Sequence, residues 1–142
     1  DNHDNLRQLG ITHLINCAAF RKSADSPYPA SSGIVGYLQF HADDNMTYNI
    51  LKHLDEAYAF TEDACKNGGK VLIHCAMGSN RSVAICAGYM MMHTNTSLLD
   101  VIFQIRSRRP CVLSNVSFRR QLIQFAREKE LLHSPEELGL EF

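Results

Sequence analysis

The chain has 142 residues, enough for one domain with a substantial core. Hydrophobic residues make up 45% and charged residues 20%, the balance of an ordinary soluble globular protein. A formal net charge of −1 argues against a partner chosen by charge alone, whether nucleic acid or anionic membrane, and no run approaches the roughly 18 apolar residues of a membrane span.

In chain order the pattern alternates helices and strands, with no internal repeat or low-complexity tract. Residues 5–9 read as a helix stopped by Gly10. ITHLINCA (11–18) and IVGYLQF (34–40) read as strands, separated by a Ser/Pro/Gly-rich loop, RKSADSPYPASSG (21–33). Residues 47–67 carry Ile50, Leu54, Ala57, Tyr58, Thr61 and Ala64 at helical spacing, and Gly68-Gly69 ends the run. KVLIHC (70–75) is continuously apolar, which predicts a central parallel strand covered on both faces.

Residues 81–93 are apolar almost all round and predict a buried helix, with Met90, Met91 and Met92 as core filling. A further helix is expected over 97–108, closed by Pro110, and another over 116–132 with Phe118, Leu122, Phe125 and Ala126 on one face. Ser134-Pro135-Glu136-Glu137 reads as a capping box for a terminal turn. The expected fold class is α/β: a single domain whose mostly parallel central sheet is flanked by helices.

Five cysteines stand at 17, 65, 75, 86 and 111, with no Cys-x-x-Cys pair and no spacing of a zinc site or disulfide framework. This usage fits a reducing compartment, cytosol or nucleus, and no signal peptide opens the chain. No metal or other cofactor is expected.

HCAMGSNRS (74–82) joins a buried strand to a buried helix. A loop entering a helix N-terminus turns N–H groups toward one point, and the helix dipole adds positive potential there. Gly78 allows close backbone approach, and Arg81 offers a planar fork for two oxygens of a phosphate. The same field favours a thiolate at Cys75, since such surroundings lower a cysteine pKa from about 8.5 to roughly 3.5–7.5. His74 is placed to orient the sulfur or its backbone, and Ser82 to stabilise the thiolate as a leaving group. An acid is also needed to protonate the departing oxygen. ADDN (42–45) supplies Asp43 and Asp44 in a loop suited to closing over a substrate, although acidic residues before a helix also complement its dipole.

His-Cys-x5-Arg-Ser resembles the signature of cysteine-dependent protein phosphatases, and the compact form here is similar to a dual-specificity phosphatase catalytic domain. ITHLINCA, ADDN and RRPCVLSNVSFRRQL extend the resemblance over nearly the whole chain, residues 1–142, although the strand that the family has before its first helix is not recognised. The resemblance implies that Cys75 is a nucleophile forming a phosphocysteine intermediate. It also implies that Ala76, Met77, Gly78, Ser79, Asn80 and Arg81 bind the phosphoryl oxygens, and that Ser82 assists hydrolysis. Asp44 fits the family's acid spacing better than Asp43.

The expected activity is hydrolysis of phosphotyrosine and phosphoserine or phosphothreonine in proteins, in the cytoplasm or nucleus; nothing in the sequence indicates the oligomeric state. Alternatives are a phosphatase of RNA 5′ ends or phosphoinositides, and a phosphoprotein-binding pseudophosphatase scaffold. Asn80, where the family commonly has serine, also occurs before the arginine in RNA triphosphatases; there a Thr-Gly pair follows, whereas Ser82-Val83 follows here. Arg106, Arg108 and Arg109 read as a helix-end cluster complementing the dipole, Arg119 and Arg120 as a solvated face, and Asn115 as a loop brace or helix N-cap.

Overall fold

The computed structural model describes residues 2–20 and 25–133, so the expected terminal turn at Ser134–Glu137 lies outside the described residues. In chain order the elements are α1 (Asn2–Gln8), β1 (His13–Asn16), β2 (Gly36–Gln39), α2 (Leu54–Lys66), β3 (Val71–His74), α3 (Arg81–Thr94), α4 (Leu98–Arg108) and α5 (Val116–Glu128). Short 3-10 turns precede β2 (Ala30–Ser32) and α2 (Ile50–His53).

Among the described residues the three strands form one parallel sheet in the order β2-β1-β3, an α/β fold. The strand expected at the centre is therefore an edge strand. β1 is central, and β3 leaves Leu72 37% exposed while Leu14 and Ile15 of β1 are buried. An unbroken apolar run signals burial but does not say which strand lies in the middle.

Successive β1 side chains point to opposite faces of the sheet and divide the core in two. Leu14 joins Leu6, Ile11 and Ile34 in a small cluster roofed by α1. Ile15 joins the larger cluster, with Ile85 and Met91 of α3, Val101 of α4 and Phe118 and Leu122 of α5. Each such side chain contributes roughly 1.5–3 kcal/mol when fully buried. Of the three methionines only Met91 is fully buried.

Two helices are shorter than their periodicity predicts. The 47–67 helix begins only at Leu54, after the 3-10 turn. The Asn45 side-chain oxygen accepts the N–H groups of Thr47 (3.1 Å) and Tyr48 (2.8 Å), a local turn that competes with helix. Gln121 of α5 then takes the Ile50 N–H (2.9 Å) and donates to the Tyr48 carbonyl (2.8 Å). At the other end Gly68 takes φ 74°, the left-handed stop expected of it. The 116–132 helix ends at Glu128; the Leu131 N–H returns to the Ala126 carbonyl (2.7 Å), and Leu131 folds back onto the core.

Strand register decides where chemistry can sit. Asn16 of β1 stands level with Gln39 of β2 and His74 of β3, so the three carboxyl ends lie side by side. The segments that leave β2 and β3 there contain ADDN and HCAMGSNRS, at the edge where open α/β sheets place their ligands.

Candidate active site

Cys75 follows the last residue of β3, and α3 starts at Arg81. The intervening loop turns back on the sulfur. Cys75 Sγ lies 3.2 Å from Ser82 Oγ, and the backbone N–H groups of Ser82, Gly78 and Ser79 also point to it. Burial by itself would push the thiol pKa up, but these donors outweigh it and hold Cys75 below the ordinary value. Cys17 and Cys86, both mostly buried, show the opposite balance. Burial raises Cys86 and, with a contribution from the neighbouring Cys75, pushes Cys17 up to about 12.

The loop keeps its shape because its carbonyls are taken from outside. Arg109 Nη2 donates to the Met77 carbonyl (3.0 Å), and the Leu113 N–H donates to that of Ser79 (2.8 Å). Gly78 adopts φ 62°, a left-handed conformation that side-chain-bearing residues disfavour. The Met77 side chain is exposed, so this residue serves the loop through its backbone.

Arg81 Nη1 donates to the Ala42 carbonyl (3.1 Å), while its Nε is buried with no partner among the described residues. An unmet buried donor costs about 1–3 kcal/mol, which an oxyanion at the loop would recover. No hydrogen bond joins the His74 ring to Cys75. Its Nε2 is buried and unpartnered, and burial lowers the ring pKa, which favours neutral imidazole.

ADDN is drawn directly against the loop. Asp44 Oδ2 accepts from Asn80 Nδ2 (3.0 Å), and Oδ1 accepts from Asn115 Nδ2 (2.8 Å). No bond of this kind ties Asp43 to the loop among the described residues. Asn115 caps α5, its Oδ1 accepting the Phe118 N–H (3.1 Å). Its side-chain amide holds Asp44 (2.8 Å) and the Asn45 carbonyl (2.9 Å), and its backbone N–H reaches the HCAMGSNRS loop at Asn80 Oδ1 (3.0 Å).

Three features escaped the sequence reading. The Asn80 side chain binds the ADDN segment through Asp44, beyond any use of its backbone amide. Arg109 braces the loop between β3 and α3 at the Met77 carbonyl as well as ending α4. Arg119, on the solvated face expected of it, also donates through Nε to the Leu113 carbonyl. The Asn-Arg pair was the visible signal for the first; nothing local marks the other two. No group of three metal-ligating side chains occurs among the described residues, and none of their helices is long and apolar enough to cross a membrane.

The family model "Dual specificity phosphatase, catalytic domain" matches residues 2–128. The chain is 35% identical over 121 residues to a probable rhodanese domain-containing dual specificity protein phosphatase of Dictyostelium discoideum, covering 85% of this chain and 24% of that protein. It is 31% identical over 128 residues to dual specificity protein phosphatase 26 of Bos taurus, covering 89% and 60% respectively. The chain thus spans less than two thirds of either relative. Human DUSP28 superposes with a TM-score of 0.76 at 28% identity, over 90% of this chain and 85% of that one. The match across nearly all of the described helices and strands shows that the chain belongs to the dual specificity phosphatase family, to its catalytic domain.

Proposed function

We propose that this chain hydrolyses phosphate monoesters of proteins, on tyrosine and on serine or threonine, through a phosphocysteine intermediate. One observation carries the reading: a cysteine that loop N–H groups ring and hold below its ordinary pKa, seven residues from Ser82 and six from an arginine with an unmet buried donor.

In the first step the Cys75 thiolate attacks phosphorus. The Sγ–P bond forms, the bond to the ester oxygen breaks, and Asp44 gives that oxygen its proton. The amides of residues 76–81 and the Arg81 guanidinium hold the equatorial oxygens, where charge builds in the transition state. In the second step water attacks the phosphocysteine and gives a proton back to Asp44. The S–P electron pair returns to sulfur, where the Ser82 hydroxyl donates to the departing thiolate, and inorganic phosphate leaves. Every proton and electron pair is accounted for by these residues and water.

Cys75→Ser tests the reading. Serine keeps the shape but is not ionised near neutral pH, so turnover of an aryl phosphate and of phosphopeptides should vanish while a non-covalent phosphate analogue such as tungstate still binds. Turnover above a few per cent of wild type would remove Cys75 from the mechanism. Running the wild-type chain on phosphopeptides, a phosphoinositide and a triphosphate-ended RNA sorts the substrate class, with phosphopeptides expected to be preferred.

A further inference from the structure

Asn80 occupies the N-cap position of α3, where an asparagine side chain ordinarily accepts an N–H from the first turn of its own helix. Here it makes no such bond. Its amide is turned across the loop instead, and the residue is only 8% exposed. Nδ2 donates to Asp44 Oδ2 (3.0 Å) and to Ser114 Oγ (3.1 Å), while Oδ1 accepts the Asn115 N–H (3.0 Å) and faces the Ser114 hydroxyl (3.4 Å). Only this orientation of the amide satisfies both neighbours, because a flip would set its oxygen against the carboxylate and its NH₂ against an N–H.

The next residue, Arg81, reaches the same loop through the Ala42 carbonyl. Two consecutive residues of the phosphate loop therefore grip the acid loop, and Asn115 completes the hold on the second carboxylate oxygen. Each carboxylate oxygen has a lone pair outside these bonds, so they fix the direction of Asp44 without occupying the place of its proton.

We propose that Asn80 is a positioning residue for the general acid, fastening Asp44 to the phosphate loop so that acid and phosphate-binding groups move as one unit. The proposal rests on the catalytic reading above. A misplacement of about 1 Å costs catalysis on the order of 10²-fold, and a positioned acid supplies about 10²–10⁴-fold. That acid matters most when the leaving group is poor.

The experiment measures kcat on phenyl phosphate (poor leaving group) and p-nitrophenyl phosphate (good) for Asn80→Ser and Asn80→Asp, each alone and combined with Asp44→Asn. Serine is a favourable N-cap residue, which protects the fold, and vanadate inhibition reports whether the phosphate loop is intact. Asn80→Ser should lower kcat about 10- to 10²-fold on phenyl phosphate and about threefold or less on the nitrophenyl ester, with a flattened alkaline limb of the pH profile. Asn80→Asp, isosteric but setting carboxylate against carboxylate, should lose at least as much on phenyl phosphate. Neither should add to the loss in the Asp44→Asn background.

A loss equal on both esters, or one that persists in Asp44→Asn, would overturn the proposal. So would an Asp44→Asn variant with no leaving-group dependence, since there would be nothing to position. None of these outcomes touches the Cys75→Ser result, which alone decides the covalent mechanism.

Discussion

At the scale of single residues, the state of the thiol depends on a contest between burial and donors. Burial opposes the thiolate, and Ser82 contributes both its hydroxyl and its backbone N–H against it. Ser82→Ala removes the hydroxyl and leaves the N–H. A hydrogen bond of about 1 kcal/mol corresponds to about fivefold in the thiolate fraction. The sign follows from titration: thiolate is present above the thiol pKa and lost as pH falls through it, so raising that pKa shows on the acid side. Inactivation by iodoacetate should be about fivefold slower in Ser82→Ala at pH values below the thiol's titration, converging with wild type at high pH. Equal rates across the acid range would mean that the loop N–H groups suffice.

At the scale of elements, the site is held by helix ends and loops bound to one another rather than by any one helix. Leu113 illustrates the cost. It is buried, takes φ 57°, and from that unfavoured conformation donates its N–H to Ser79. α4 is a useful contrast, because its start lies away from the site. Ser97 caps it by accepting the Asp100 N–H (3.2 Å) and is itself buried. Ser97→Ala should cost about 1 kcal/mol and lower Tm by about 3 °C, with kcat unchanged. Calorimetry alongside an aryl phosphate assay checks both parts; a large fall in kcat would show that α4 transmits its position to Arg109 and the loop.

At the scale of the whole molecule, stability and chemistry meet at the start of α5. Phe118 is fully buried in the larger core cluster, and its N–H is capped by Asn115, which also holds Asp44. Phe118→Ala should cost about 3–5 kcal/mol, a large share of the roughly 5–15 kcal/mol of a typical domain. Urea unfolding should show a much lower midpoint at nearly unchanged slope. A midpoint within error of wild type would mean that the core collapses around the lost ring without penalty.

The sequence by itself determined the α/β class, the strand-loop-helix frame of HCAMGSNRS and the glycine stop at Gly68, because hydrophobic period and glycine stereochemistry are local properties. Helix limits at Leu54 and Glu128 were not legible in periodicity, since an Asn45 turn, Gln121 and the returning Leu131 compete with the helical pattern. The family resemblance already favoured Asp44 over Asp43 and marked Asn115, but the position of β3 at the sheet edge, the hydrogen bonds that bind the Asp44 carboxylate, and the use of the Asn80 and Arg109 side chains as braces were decided only in the tertiary structure. Asp44 is 36 residues from Asn80 and 71 from Asn115, and no local pattern encodes a contact across that separation. It arises when parallel strand register brings the ends of β2 and β3 level and α5 packs its capped end beside them.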